Sequence, residues 1–190
     1  MTGFEEDINL SLEVLRNGGV ILYPTDTVWG LGCDPTNPAA VEKLLRIKSR
    51  GENKSLIVLV NGLTMLERYV KNIPGIVYEL VEVSESPLTI IYPEGKYLAA
   101  GICAEDNSVG IRICDELFCN ELISRFRKPL VSTSANLSGK PSPANFEEID
   151  PGLAEKADYV VNYRRDDKRK FNPSSVIRVE NNGVIKIIRQ

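Results

Sequence analysis

The sequence predicts a single α/β domain over residues 1–190, built on a twisted mixed sheet flanked by helices. Three observations carry this. Short apolar runs of strand character alternate with segments of helical periodicity along the whole chain. At 190 residues, 43% hydrophobic and 26% charged, the chain suffices for one sizeable core but not comfortably for two. It closes on a hairpin instead of another helical crossover, which argues against a purely parallel sheet.

Ile8, Leu12 and Leu15 fall on one face of a first helix that Gly18-Gly19 terminates. Val20 to Tyr23 is a short apolar strand stopped by Pro24. Asn37 then supplies a cap and Pro38 a first helical residue for a helix that carries Val41, Leu44 and Leu45 inward and ends near Arg50-Gly51. Leu56 to Val60 is a continuous apolar run, the pattern of a strand buried on both faces. Helical patterns follow around Met65–Val70 and Ile76–Val83, then a strand at Leu88–Tyr92 and a long loop from Pro93 to Asn107. Ser108 to Cys114 alternates as a strand. Asp115 is placed to cap a helix presenting Leu117, Leu122, Ile123 and Phe126, and Leu130–Thr133 forms the next strand. A strand at Tyr159–Tyr163, a charged loop and a hairpin turning at Asn182-Gly183 complete the chain.

The chain contains no histidine. Imidazole-dependent triads and His-ligated metal sites are therefore excluded. Any chemistry must use carboxylates, Lys, Arg, hydroxyls, backbone dipoles or a metal brought by a substrate. Lys and Arg number 23 against 26 Asp and Glu, giving a net charge of −3. This argues against a generally basic nucleic-acid coat while allowing a local basic cleft. Cys33, Cys103, Cys114 and Cys119 form no CxxC pair and fit no zinc spacing, so reduced, mostly buried thiols are expected. No apolar run approaches the roughly 18 residues of a membrane span. The N-terminus is acidic where a signal peptide is basic. A cytoplasmic protein is expected, with the sequons at Asn9 and Asn136 as chance matches.

Several segments can carry chemistry. Tyr23 to Cys33 gathers Thr25, Thr27, Asp26 and two glycines where a strand ends, suited to a small polar ligand, although ordinary turn capping accounts for the same pattern. Lys48, Arg50 and Lys54 place three cations near a helix end, which suits a polyphosphate, as does a simple complement to the helix dipole. There is no GxxxxGK[ST] loop. Ser132 to Pro143 offers small hydroxyls and Asn136 directly after a strand, but no triad base and no nucleophile elbow, so binding is its expected role. Arg112 lies within an apolar strand, on the side of Ser108 and Gly110, where either solvent or an anionic partner accounts for it. The run Arg164 to Lys170 is mixed in sign and reads as a mobile surface loop able to close over an anion.

Taken in order, PTDTVWGLGCDP, KSR with a following Lys-Ser-Leu-Ile-Val, SPLTIIYP, SVGIRIC, KPLVSTSANLSGKPSP and NPSSVIRV resemble the YrdC/Sua5 family of threonylcarbamoyl-AMP synthases, in its short single-domain form. The resemblance runs from about Gly18 to Arg189. It implies a concave basic face and a reaction in which L-threonine, bicarbonate and ATP, accompanied by Mg²⁺, give threonylcarbamoyl-AMP and pyrophosphate. Threonylcarbamoyl-transfer proteins acting on tRNA would be the partners, and tRNA itself is a further candidate. No membrane and no protein-held metal are implied.

Carried over residue by residue, the resemblance implies that Lys48, Arg50, Lys54, Ser108, Asn136 and Arg189 contact ATP, with Lys48 and Arg50 catalytic. It gives Thr27, Arg112, Ser134 and Ser174 to threonine, and Thr25 lies adjacent. Departures are Glu85-Ser in place of a Pro-Gly pair, Trp29 for Tyr or Phe, Ala144 for Thr, and Leu59 where some members carry His, which removes one threonine contact. The competing expectations are a YciO-like paralogue, a double-stranded-RNA-binding module without chemistry, and a carbamoyl-transfer domain of hydrogenase maturation factors. The acidic balance and the lack of interleaved aromatics count against the RNA module.

Overall fold

The computed structural model describes residues 3–48, 56–137 and 139–190. Helix α1 (Glu5–Arg16) opens it. Ile8, Leu12 and Leu15 share one stripe and are all buried. Each such side chain removed from water contributes about 2 kcal/mol. The helix lies against α5 (Leu117–Phe126), and Phe4, Phe118 and Tyr163 form an aromatic cluster at its start. Gly18 follows with φ of +75°, a conformation that favours glycine. Asp7, also buried, accepts from the Tyr159 hydroxyl at 2.5 Å and from the backbone N–H of Asn162 and Tyr163 at 2.9 Å each. One carboxylate thus ties the first helix to the last third of the chain.

The strands are β1 (Ile21–Tyr23), β2 (Gly30–Gly32), β3 (Ile57–Val60), β4 (Leu88–Tyr92), β5 (Val109–Ile113), β6 (Leu130–Ser134), β7 (Tyr159–Val160), β8 (Ser175–Val179) and β9 (Ile185–Arg189). They form one sheet in the order β7-β1-β2-β6-β3-β5-β4-β8-β9. The pairs β1–β7, β3–β5 and β4–β8 are parallel and the rest antiparallel, so the sheet is mixed as expected. β3 lies near its centre with Val58, Leu59 and Val60 fully buried, which accounts for its unbroken apolar run.

The remaining helices are α2 (Pro38–Ile47), α3 (Leu63–Tyr69), α4 (Ile76–Val83) and the short α6 (Pro151–Ala154). α2 starts as expected: Asn37 Oδ1 accepts from the N–H of Ala39 and Ala40 at 3.0 and 3.3 Å, and Pro38 occupies the first turn. It ends at Ile47, with Lys48 as its C-cap. α3 and α4 lie on the face of the sheet presented by Ile90, Tyr92, Ile111 and Ile113. Thr89 and Arg112, paired in register, project to the other face together with Gly110.

Several features differ from the sequence expectation, among them the end of α2 at Ile47 instead of near Arg50-Gly51. β2 is an unexpected strand, because Gly-Leu-Gly has little strand character. The cap of α5 is Glu116, whose Oε2 accepts from Cys119 N–H at 2.9 Å, and not Asp115. The strand expected over 159–163 ends at Val160: Val161 N–H still donates to the Leu22 carbonyl at 2.9 Å, and Asp7 takes the backbone donors of Asn162 and Tyr163. A 3₁₀ turn over Phe146–Glu148 and α6 occupy a stretch that carries no strong periodicity.

Candidate functional site

On the open face of the sheet lies a cleft of about 180 Å³. Its lining includes Thr27, Arg112, Ser134, Ser174 and Arg189, five of the expected ligand-binding residues, from the β1–β2 loop, β5, β6, the approach to β8 and β9. Separate stretches of sequence therefore converge because β5, β6, β8 and the β1–β2 loop share that side of the sheet.

Arg112 is the centre of the site. It is 3% exposed, so the solvated-face alternative is excluded. Its Nη2 donates to Thr27 Oγ1 at 3.2 Å and lies 2.8 Å from Asp26 Oδ1. Its Nε is buried and has no hydrogen-bond partner among the described residues. A buried guanidinium donor without an acceptor is costly unless a ligand supplies one. Thr27 is itself fixed: its N–H donates to Thr25 Oγ1 at 3.0 Å, and Thr25 Oγ1 donates to the Val28 carbonyl at 2.9 Å. Thr25 thus holds Thr27 and does not line the cleft.

Opposite, Ser174 Oγ and Thr89 Oγ1 share a 2.8 Å hydrogen bond. Arg189 donates from Nε and Nη2 to the Ser174 carbonyl at 3.1 and 2.7 Å, joining β9 to the rim of the cleft. Lys48 approaches from the end of α2. Its ammonium, 2% exposed, donates to the Ser134 carbonyl at 2.6 Å, to the Asn136 carbonyl, and to Asn136 Oδ1 at 3.3 Å. Ser134 Oγ also contacts Asn136 Oδ1. One buried cation therefore shapes the loop that follows β6.

Ser108 is buried at the amino end of β5 and is not among the cleft residues. Its N–H donates to Asp106 Oδ1 at 3.0 Å. The Ser108 hydroxyl and N–H, with Arg178, hold the Asp106 carboxyl down at about 2. Arg50 and Lys54 lie outside the described residues. Leu59 is fully buried and in register with Arg112.

Several contributors carry no assignment from sequence alone. Asp26 stands among the polar residues of the β1–β2 loop with nothing in the sequence to indicate its partner. Thr89 is signalled by its polarity within an apolar strand, the same signal that singles out Arg112. Arg164, expected in a mobile charged loop, is anchored: Nη1 donates to the Thr25 carbonyl at 2.9 Å and lies 3.5 Å from Glu116 Oε1, and the guanidinium sits 4.7 Å from the Phe171 ring centroid.

Four cysteines are unpaired; Cys33, Cys114 and Cys119 are buried and Cys103 is half-buried. Burial raises the pKa of Cys33, Cys103 and Cys119, so these thiols are not activated nucleophiles. Among the described residues no group of three or more acidic or sulfur ligands converges to hold a metal ion. No helix among them is long and apolar enough to cross a membrane.

A mixed sheet, nine-stranded among the described residues, with a hydroxyl-lined, arginine-centred cleft defines a small-ligand-binding α/β protein. The Sua5/YciO/YrdC family, described as telomere recombination, matches residues 13–190, and the chain belongs to it. It is 38% identical over 160 residues to the threonylcarbamoyl-AMP synthase of Stenotrophomonas maltophilia, covering 83% of this chain and 86% of that protein. It is 32% identical over 189 residues to the Vibrio parahaemolyticus synthase, covering 98% and 99%. Among solved structures, P. abyssi Sua5 complexed with L-threonine superposes with a TM-score of 0.82 at 26% identity, over 92% of this chain. This chain spans about half of that one, 51%. E. coli YciO superposes at 0.83 with 24% identity over 97% of this chain and 89% of its own, and shows the fold alone.

Proposed function

We propose that the chain is a threonylcarbamoyl-AMP synthase, converting L-threonine, bicarbonate and ATP to threonylcarbamoyl-AMP and pyrophosphate. The observation that carries this is the Nε of buried Arg112, which has no hydrogen-bond partner among the described residues, in a cleft bordered by Thr27, Ser134 and Ser174. A guanidinium donor takes the amino acid's carboxylate, and short hydroxyls recognise its hydroxyl and amine with little bulk. The relatives named as synthases and the threonine-bound relative support the same substrate class.

The chemistry needs no covalent enzyme nucleophile, which suits a chain without histidine. Threonine's amine adds to carbon dioxide derived from bicarbonate, losing a proton, and gives a carbamate. The carbamate oxygen then bonds to the α-phosphorus of ATP as the bond to pyrophosphate breaks. The protein's share is orientation and neutralisation of spreading phosphate charge. Lys48, Asn136 and Arg189, with Ser108, Arg50 and Lys54, are the residues we assign to ATP, Lys48 and Arg50 being the catalytic cations. Mg²⁺ would enter bound to the triphosphate and neutralise part of its charge.

The product would pass to threonylcarbamoyl-transfer proteins acting on tRNA. Unpaired thiols suit a reducing compartment, and we place the protein in the cytoplasm. The test is pyrophosphate release from ATP and Mg²⁺ with threonine and bicarbonate each present or withheld. Release that needs both is expected; release that ignores either one overturns the assignment.

A further inference from the structure

On the other face of the sheet lies a second cavity, about 350 Å³, within the size range of small-molecule sites. Its floor and roof are apolar, formed by Ile90, Tyr92, Ile111 and Ile113 of the sheet beneath Leu66 of α3 and Val81 of α4, while Asn61, Ser84, Ser86 and Asn120 add neutral polar groups around them. Its rim carries three carboxylates, Asp26, Glu85 and Asp115, and among the described residues no Lys or Arg lines it. Asp26 belongs to both sites: it lines this cavity and stands 2.8 Å from Arg112 of the cleft. Its Oδ1 is buried yet makes no hydrogen bond among the described residues, so the approach to Arg112 is an ion pair without alignment.

An anion is repelled by that rim, and a neutral apolar molecule gains nothing from its carboxylates. A molecule with an apolar body and a single cationic end satisfies both halves. We propose that this cavity is a second ligand site for a small amphipathic organic cation, a primary amine on an aromatic or short aliphatic body, with the ammonium at Asp26.

Such a cation draws on the carboxylate that now faces Arg112 and adds positive potential beside it. Both effects strengthen capture of an anionic carboxylate in the cleft, and linkage requires threonine to strengthen amine binding equally. This coupling, unlike the site itself, rests on the assignment of threonine to Arg112.

The test is calorimetric titration of the whole protein with 2-phenylethylamine, 2-phenylethanol and 3-phenylpropanoate. Saturable amine binding is expected, with the alcohol and the acid weaker by about tenfold or more. Val81→Trp fills the cavity from α4, and Glu85→Lys with Asp115→Lys reverses the rim charge at exposed positions. Each is expected to weaken the amine by about tenfold while leaving pyrophosphate release without amine unchanged. Equal binding of the three probes, no amine binding, or amine binding undiminished in both variants overturns the site. Saturating threonine should tighten the amine about twofold or more. An amine that binds the cavity but ignores threonine overturns the coupling. Specific amine binding by a protein that makes no threonylcarbamoyl-AMP leaves the site standing and removes the functional assignment.

Discussion

Lys48 donates to the carbonyl oxygen of Ser134 at 2.6 Å, joining the end of α2 to the end of β6 through a fully buried ammonium. A charge held in so little water keeps a strong field, and here the field lies at the loop assigned to ATP. Lys48→Met should lower pyrophosphate release by about two orders of magnitude, the scale on which removing one preorganised donor acts. Far-UV circular dichroism should stay unchanged, because β6 is held in the sheet by its backbone ladders to β2 and β3. Near-wild-type turnover would remove Lys48 from catalysis.

Arg112 offers a sharper separation of binding from chemistry. Arg112→Lys retains a cation but removes the unpartnered Nε and the planar fork that can engage a carboxylate. The KM for threonine should rise about tenfold or more, with the KM for ATP nearly unchanged. Equal changes in both constants would show that Arg112 orders the whole cleft instead of one substrate.

The legibility of this chain follows the physics of each element. β3 and α1 are readable because burial on both faces, or along one stripe, leaves a periodic trace. β2 is not readable, because its sequence is set by what crowds it. A Cβ on Gly32 would stand 2.5 Å from the Val131 carbonyl oxygen and 2.6 Å from the Tyr23 ring, and Tyr23 Oη donates to that same carbonyl at 2.9 Å. The same limit applies to the site. Arg112 and the Ser132–Asn136 segment stand out from their neighbours in the sequence, whereas Asp26 acquires its role only once the β1–β2 loop is folded across the end of β5. Gly32→Ala should therefore destabilise the protein by about 2 kcal/mol or more through overpacking against backbone. Chemical denaturation will measure it, and a loss below about 0.5 kcal/mol would show that the β1–β2 hairpin yields easily.

Arg164 is expected to act on the site without touching it. It sits at φ +65° and donates to the Thr25 carbonyl, and the Thr25 hydroxyl holds Thr27 under Arg112. Burial raises the pKa of Glu116, its acidic neighbour, which the Arg164 charge partly offsets. Arg164→Gln should raise the KM for threonine by a few-fold with kcat largely kept, and Arg164→Lys should recover part of the loss. A fall in kcat with KM unchanged would place Arg164 elsewhere in the mechanism.

Asp158 makes acid stability a readout of how the two ends of the chain are joined. Its Oδ2 accepts from Val20 N–H at 2.7 Å, and Lys43 Nζ reaches Oδ1 at 2.6 Å. Burial alone would raise its pKa, but the Lys43 and Val20 hydrogen bonds and the Lys43 charge outweigh burial, so the group titrates below its ordinary 3.8. A carboxylate whose folded pKa is depressed stabilises the fold above its unfolded pKa and loses that stabilisation as pH falls through the folded value. Wild type should therefore exceed Asp158→Asn by about 1 kcal/mol near neutrality, a figure already reduced for the exposure of the pair. The gap should begin to narrow as pH drops below 3.8 and continue to close on further acidification. Urea unfolding of both proteins at about pH 7 and about pH 3 measures the gap. A gap of constant size would mean that the carboxyl titrates alike in the folded and unfolded chain, so that neither the Lys43 charge nor the Val20 bond favours its ionised form.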